Sequence, residues 1–327
     1  LNTLANRLSE TGDRAGAVAP AQEAVDLRRA QAAENRAYEP DLAAALNTLA
    51  NRLSETGDRA GAVAPAQEAV DLYRAQAAEN RAYEPDLAAA LNTLANRLSE
   101  TGDRAGAVAP AQEAVDLRRA QAAENRAYEP DLAAALNNLA IRLSETGDRA
   151  GAVAPAQEAV DLRRAQAAEN RAYEPDLAMA LNTLANRLSE TGDRAGAVAP
   201  AQEAVDLRRA QAAENRAYEP DLAMALNNLA ISLSETGDRA GAVAPAQEAV
   251  DLRRAQAAEN RAYEPNLAAA LNNLAISLSE TGDRAGAVAP AQEAVDLYQR
   301  LIVDESFRSD DLDRAQQTLD GLLDGPE

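Results

Sequence analysis

The side chains able to do chemistry in this sequence are few in kind and evenly spaced. It contains no His, no Cys and no Lys, so all 32 basic residues are Arg. The common general bases, thiol and amine nucleophiles and soft metal ligands are thereby missing. What remains are hydroxyls such as Ser9, carboxylates such as Glu10 and Asp13, and asparagines such as Asn2 and Asn6, each returning at a constant interval. No base is in prospect for Ser9. A carboxylate present in every copy suits helix capping and solubility better than a single acid–base pair. Gly12-Asp13-Arg14-Ala15-Gly16 has the form of a helix corner and not of a phosphate loop, and no calcium-loop spacing occurs. The expectation is a chain that is not an enzyme and holds no cofactor or metal.

Composition narrows the partners. The net charge is −21, and a field of that sign repels phosphate, so nucleic acid and anionic membrane surfaces are not expected partners. No apolar run reaches transmembrane length. The sequence is 46% hydrophobic, yet it holds one Phe and no Trp; Ala supplies most of the apolar content, which calls for close helix packing. Ala-rich, Lys-free composition resembles that of organisms with GC-rich genomes, and the expected setting is a bacterial cytoplasm.

Stepping from these side chains to what must position them, the interval is 45 residues. The stretch from Leu1 to Ala45 returns at Leu46, Leu91, Leu136, Leu181, Leu226 and Leu271. A period in this range marks stacked structural units. Seven copies are assigned to residues 1–297, and residues 298–327 to a divergent segment with a capping helix. Leu1, Leu4, Ala5 and Leu8 form one helical stripe. Gly12 can take the left-handed conformation past the helix end, and Asp13 can cap the next helix. That second helix is expected from about Arg14 to about Glu34, with Ala17, Ala21, Ala24, Val25 and Leu27 on its packing side. It contains Pro20, which predicts a bend and no break. Asp26 and Arg29 are placed to pair one turn apart. Asn35 to Glu39 reads as a loop, Tyr38 as a staple over the joint, and Pro40 and Asp41 as the start of the next helix. In the last segment Leu312, Ala315, Leu319 and Leu322 mark an amphipathic helix that Ser309 can cap.

Leu1, Leu4-Ala5, Leu8, Gly12-Asp13, Ala17, Ala24 and Leu27 together resemble the tetratricopeptide repeat. The likeness covers all seven copies, and the LNNLA opening with Pro20 is most similar to the long-unit repeats of the kinesin light chain type. It departs from the common form in lacking large aromatics and the proline that ends the second helix, and in its period. The extra 11 residues are close to three turns at about 3.6 residues each, which lengthens helices without rotating their apolar faces. The resemblance implies an all-α solenoid, a right-handed superhelix of antiparallel hairpins, whose first helices line a concave groove that binds peptides. Carried over by motif position, ligand contacts fall at Asn2, Thr3, Asn6, Ser9 and Glu10 and their equivalents.

Six positions vary among the copies: Thr3 becomes Asn138, Asn228 and Asn273; Asn6 becomes Ile141, Ile231 and Ile276; Arg7 becomes Ser232 and Ser277; Arg28 becomes Tyr73 and Tyr298; Asp41 becomes Asn266; Ala44 becomes Met179 and Met224. At 100° per residue, five of them fall opposite the packing stripe of the first helix. Other exposed columns, those of Gln31 and Glu34, stay fixed. The candidate binding surface therefore comprises an amide ladder (Asn2, Asn47, Asn92, Asn137, Asn182, Asn227 and Asn272), the variable asparagines Asn138, Asn228 and Asn273, the column Asn6, Asn51, Asn96 and Asn186, and the apolar residues Ile141, Ile231, Ile276, Met179 and Met224. Amides carry both donors and acceptors for an extended backbone, though a ladder of this kind can equally bond helix to helix. Drift after duplication is an alternative source of the variation.

The expected function is a scaffold binding a protein or extended peptide, as a piece of a larger regulatory protein. Two alternatives stand beside it: head-to-tail self-assembly through homotypic end contacts, and an amplified or designed array with no specific ligand.

Overall fold

A computed structural model of the chain describes residues 1–303 and 309–323. Among them are fifteen α-helices and no strands. The first helices of the repeats are α1 (Asn2–Glu10), α3 (Glu39–Glu55), α5 (Glu84–Glu100), α7 (Glu129–Glu145), α9 (Glu174–Glu190), α11 (Glu219–Glu235) and α13 (Glu264–Glu280). The second helices are α2 (Arg14–Glu34), α4 (Arg59–Glu79), α6 (Arg104–Glu124), α8 (Arg149–Glu169), α10 (Arg194–Glu214), α12 (Arg239–Glu259) and α14 (Arg284–Val303), and α15 (Ser309–Leu323) follows. This is the all-α hairpin architecture of a solenoid. The residues form two compact units, Leu1–Leu162 and Arg163–Glu327, and the joints described below each lie within one unit.

Local chemistry sets each hairpin. Gly57 has φ +90°, a left-handed value at which a side chain is strained. Asp58 follows as N-cap, its Oδ1 accepting from the Gly61 N–H at 2.9 Å. A Cβ on Gly61 would fall on the Asp58 carboxylate. The glycine four residues ahead of each helical proline thus makes room for the cap as well as easing the proline's turn. α4 runs unbroken through Pro65. The expected loop after it is a 3₁₀ turn, Arg81–Tyr83, begun by Asn80 in extended conformation with its side chain accepting from the Ala82 N–H at 3.0 Å. The same turn follows α2, at Arg36–Tyr38.

Small residues let the helices approach closely. In the first unit Ala43, Ala50, Ala66, Val70, Tyr73, Leu87, Leu91 and Leu94 form one core cluster between consecutive repeats, with Tyr83 packed against it. In the second unit Ala185, Ala201, Val205, Leu222, Leu226 and Leu229 form its counterpart. The packing assigned to Leu27 needs correction. Ala17, Ala21, Ala24 and Val25 are buried, but Leu27 is 53% exposed, along with Leu1 and Leu4. Leu72 and Leu117, its equivalents, are half-buried against the core because a neighbouring repeat covers them.

Joints between repeats also carry polar rungs. The pairing of Arg29 with Asp26 is not the one that forms. Arg29 reaches Glu68 in the next repeat at 2.6 Å. Arg74–Glu113 and Arg119–Glu158 repeat the rung in the first unit, and Arg164–Glu203, Arg209–Glu248 and Arg254–Glu293 in the second, each at 2.7 Å. In later copies the turn-spaced pairing persists beside the rung as a longer contact, 3.8 Å at Arg74–Asp71 and 3.9 Å at Arg209–Asp206. The fixed columns are engaged too. Gln31 accepts from Arg28 at 2.9 Å, Gln76 donates to Glu39 at 2.6 Å, and Glu79 meets Arg36 at 3.4 Å. Their constancy has a structural cause, so it gives no ground for reading the variable columns as selected for binding.

α15 covers α13 and α14. Ala315, Leu319 and Leu322 are buried there, and the Arg284 guanidinium donates to the Gly321 carbonyl at 2.7 Å. The segment is less divergent than its composition suggests. Asp311, Leu312, Ala315 and Leu319 stand six whole periods beyond Asp41, Leu42, Ala45 and Leu49, so α15 occupies the register of a further first helix. The cap assigned to Ser309 lies outside the described side chains.

Candidate functional site

The open face of the first helices is built from three positions spaced four and three residues apart, which share one side of a helix. On α11 these are Met224, Asn228 and Ile231; on α13 they are Ala269, Asn273 and Ile276. Met179 on α9 is 44% exposed and Ile276 is 38% exposed, with Met224 and Ile231 between these values. α9 contacts α11 and α11 contacts α13; Met179 and Met224 hold one position on the first pair of helices and Ile231 and Ile276 another on the second pair, with the half-buried Asn228 between Met224 and Ile231. In the first unit the corresponding positions carry Ala44, Ala89 and Ala134, with Asn51, Asn96 and the half-buried Ile141. Asn6 and Asn186 are exposed.

One variable column is not on this face. Arg7 is exposed, but Arg97, at the same position of an interior repeat, has only 11% of its side chain exposed, and Ser232 and Ser277 are buried. A first helix is flanked by its own second helix and also by the first helix of the next repeat, so a flank that looks free on one helix is covered in the stack. Arg97 pairs with Glu100 at 3.0 Å, and Ser54 of the preceding repeat donates to the same carboxylate at 2.6 Å. Burial pulls the Arg97 guanidinium below its ordinary value, opposed by Glu100 and Glu55. Ser9 likewise donates to Glu55 at 2.5 Å. The Ser9 and Glu10 columns, which the resemblance assigns to ligand, are thus engaged with each other. The Arg28 column is also interior: Tyr73 and Arg118 are buried.

The amide ladder sits deeper than the open face. Asn137 and Asn182 are 6% and 5% exposed. The Oδ1 atoms of Asn2, Asn47, Asn92, Asn137, Asn182 and Asn272 are shielded and accept no hydrogen bond from the protein. Asn227 differs, because the Asn273 Nδ2 donates to its Oδ1 at 2.7 Å. Asn138, Asn228 and Asn273 are half-buried at the boundary between ladder and open face. Among the described residues no group of three or more Asp or Glu is placed to hold a metal ion, and no helix is long and apolar enough to cross a membrane.

The hairpin pattern matches the family model for the tetratricopeptide repeat over residues 1–30, 42–75, 87–120, 132–165, 177–210, 222–255 and 267–307. The chain belongs to the tetratricopeptide repeat family. Solved structures of this tetratricopeptide repeat fold resemble it. BtubC (BKLC) from P. vanneervenii is 24% identical, with a TM-score of 0.59 over 73% of this chain and 90% of that one. A putative kinesin light chain from Podosopora anserina with nearly identical TPR-like repeats is 23% identical, with a TM-score of 0.53 over 68% of this chain and 98% of that one. The apo form of RapI is 13% identical, with a TM-score of 0.64 over 98% of this chain and 80% of that one. At these identities the likeness shows the fold. No curated protein matches the chain.

Proposed function

We propose that this tetratricopeptide repeat protein is an interaction scaffold that docks a protein segment or extended peptide on the open face of its first helices in the second unit. The observation that carries the reading is the exposure of Met179, Met224, Ile231 and Ile276, large apolar side chains kept at the surface on neighbouring first helices. Scattered exposed apolar groups mean little, but grouped ones mark contact surfaces. The neighbouring asparagines supply donors and acceptors for a bound backbone. The family's general role in binding proteins and peptides points the same way.

Head-to-tail self-assembly is not favoured, because the apolar surface of α13 and α14 that a second copy would need is already buried under α15. The test is selection of binders from a displayed random peptide library against the whole protein. Selected peptides are expected to carry apolar side chains and to lose about ten-fold or more in affinity on Met224→Asp and on Ile231→Asp, while Glu248→Gln on the Arg209 rung leaves them unchanged. Binders indifferent to both face substitutions would remove this reading.

A further inference from the structure

At the joint where a second helix hands over to the next first helix, the Arg28 column meets the Asp41 column. Arg28–Asp41 and Arg118–Asp131 close at 3.1 and 3.2 Å in the first unit, and Arg163–Asp176 and Arg208–Asp221 at 3.2 and 3.3 Å in the second. At Tyr73 the arginine itself is absent. One joint keeps the arginine and loses the acid: Arg253 is retained and its counterpart is Asn266.

Arg253 is left as a half-buried cation with no carboxylate in ion-pair range among the described residues. Its Nη1 donates to the Gln256 Oε1 at 2.9 Å. Gln256 is 8% exposed, and its Nε2 finds no acceptor in the protein. The nearby acidic groups are the phenol of Tyr263 and the carboxylate of Asp221, and Asp221 is held by Arg208. Burial outweighs their pull and lowers the Arg253 pKa from its ordinary value. Asn266 is exposed and is the third residue of α13, so this first turn has lost a negative charge and gained an amide donor. The first residue, Glu264, is engaged by Arg261 at 3.2 Å. At the two positions that neutralise each other elsewhere in the unit this joint thus carries a guanidinium and a carboxamide, donors matched to a planar carboxylate.

We propose that Arg253 and Asn266 bind a carboxylate of the peptide docked on the open face. This rests on the docking reading, since Asn266 lies on the same side of α13 as Asn273 and Ile276, seven and ten residues on. Ten helical residues span about 15 Å, or about five residues of extended chain. The carboxylate is therefore about five residues from an apolar side chain at Ile276.

The experiment titrates the isotope-labelled full chain with acetyl-Leu-Ala-Ala-Ala-Ala-Glu-amide, with its Gln analogue, and with that Gln analogue bearing a free terminal carboxylate. Arg253→Gln assigns the Arg253 resonance. The Glu peptide is expected to move the Arg253 Nε–H and Asn266 Nδ2 signals and to bind about five-fold tighter than the Gln amide. Asn266→Asp, which closes the pair as at Arg208–Asp221, is expected to erase that five-fold. Movement of the same signals by the free-terminus peptide assigns a chain terminus as a further source of the carboxylate. Equal binding of the Glu and Gln amides, with shifts confined to the Met224, Ile231 and Ile276 methyls, overturns this proposal and leaves docking standing. If no peptide moves those methyls, docking fails, and titration with acetate alone decides the carboxylate site: a shift at Arg253 retains it and no shift overturns it.

Discussion

The Asn273 Nδ2 donates to the Asn227 Oδ1 at 2.7 Å, joining α13 to α11. Equivalent oxygens, such as that of Asn272, are shielded and accept nothing from the protein. The variable asparagine at this joint is therefore spent between helices as well as bordering the open face. Replacing it with Thr, the residue found at Thr48 and Thr93, leaves a half-buried acceptor without its donor. Asn273→Thr is expected to lower stability by about 1 kcal/mol, read from the denaturant midpoint; an unchanged midpoint contradicts the bond's assigned weight.

Asp103 accepts from the Gly106 N–H at 2.9 Å, and a Cβ on Gly106 would collide with that carboxylate. Asp103→Ala is expected to cost about 1 kcal/mol through loss of the cap. Gly106→Ala is expected to cost a similar amount, because it displaces the same carboxylate. The double variant should fall well short of the sum, since both changes remove one interaction. Full additivity in a double-mutant cycle would show that the glycine is kept for another reason.

Arg97 holds a buried charge between repeats, while Ser232 and Ser277 fill the same position in later copies. There the paired carboxylate is still satisfied, as Ser234 donates to Glu280. Arg97→Ser is accordingly expected to cost less than about 1 kcal/mol, because Ser54 remains on Glu100 and the desolvation of a guanidinium is relieved. A large loss, measured by the same midpoint, would mean that the ion pair outweighs its burial.

Tyr73 lies in the first-unit core, and burial first, then Asp86 and Asp41, push its phenol upward from the ordinary range. The folded state holds the proton more tightly than the unfolded chain does. This stabilisation is complete below about pH 10, where an unfolded tyrosine begins to ionise, and it is lost as pH rises toward the folded value. Tyr73→Phe should flatten the alkaline decline in stability without altering the plateau near neutrality. Superimposable pH profiles would place the decline elsewhere.

Much of this molecule is legible along the chain because its determinants are local. The period, the Gly12-Asp13 corner, the helix limits and the buried face of Ala17, Ala21, Ala24 and Val25 follow from backbone preference, capping and helical periodicity, which act within a few residues. The tertiary structure decided what depends on rotation and offset between helices. Arg29 takes Glu68 in the next repeat over Asp26 one turn away, and Arg97 is covered where a single helix leaves it free. The same stacking sets Met224 and Ile231 on an open face, sinks Asn137 and Asn182, and leaves Arg253 without its acid. A repeating sequence states which residues recur, but a partner one repeat away is chosen by the geometry of close packing between helices, and that geometry exists only once the hairpins stack.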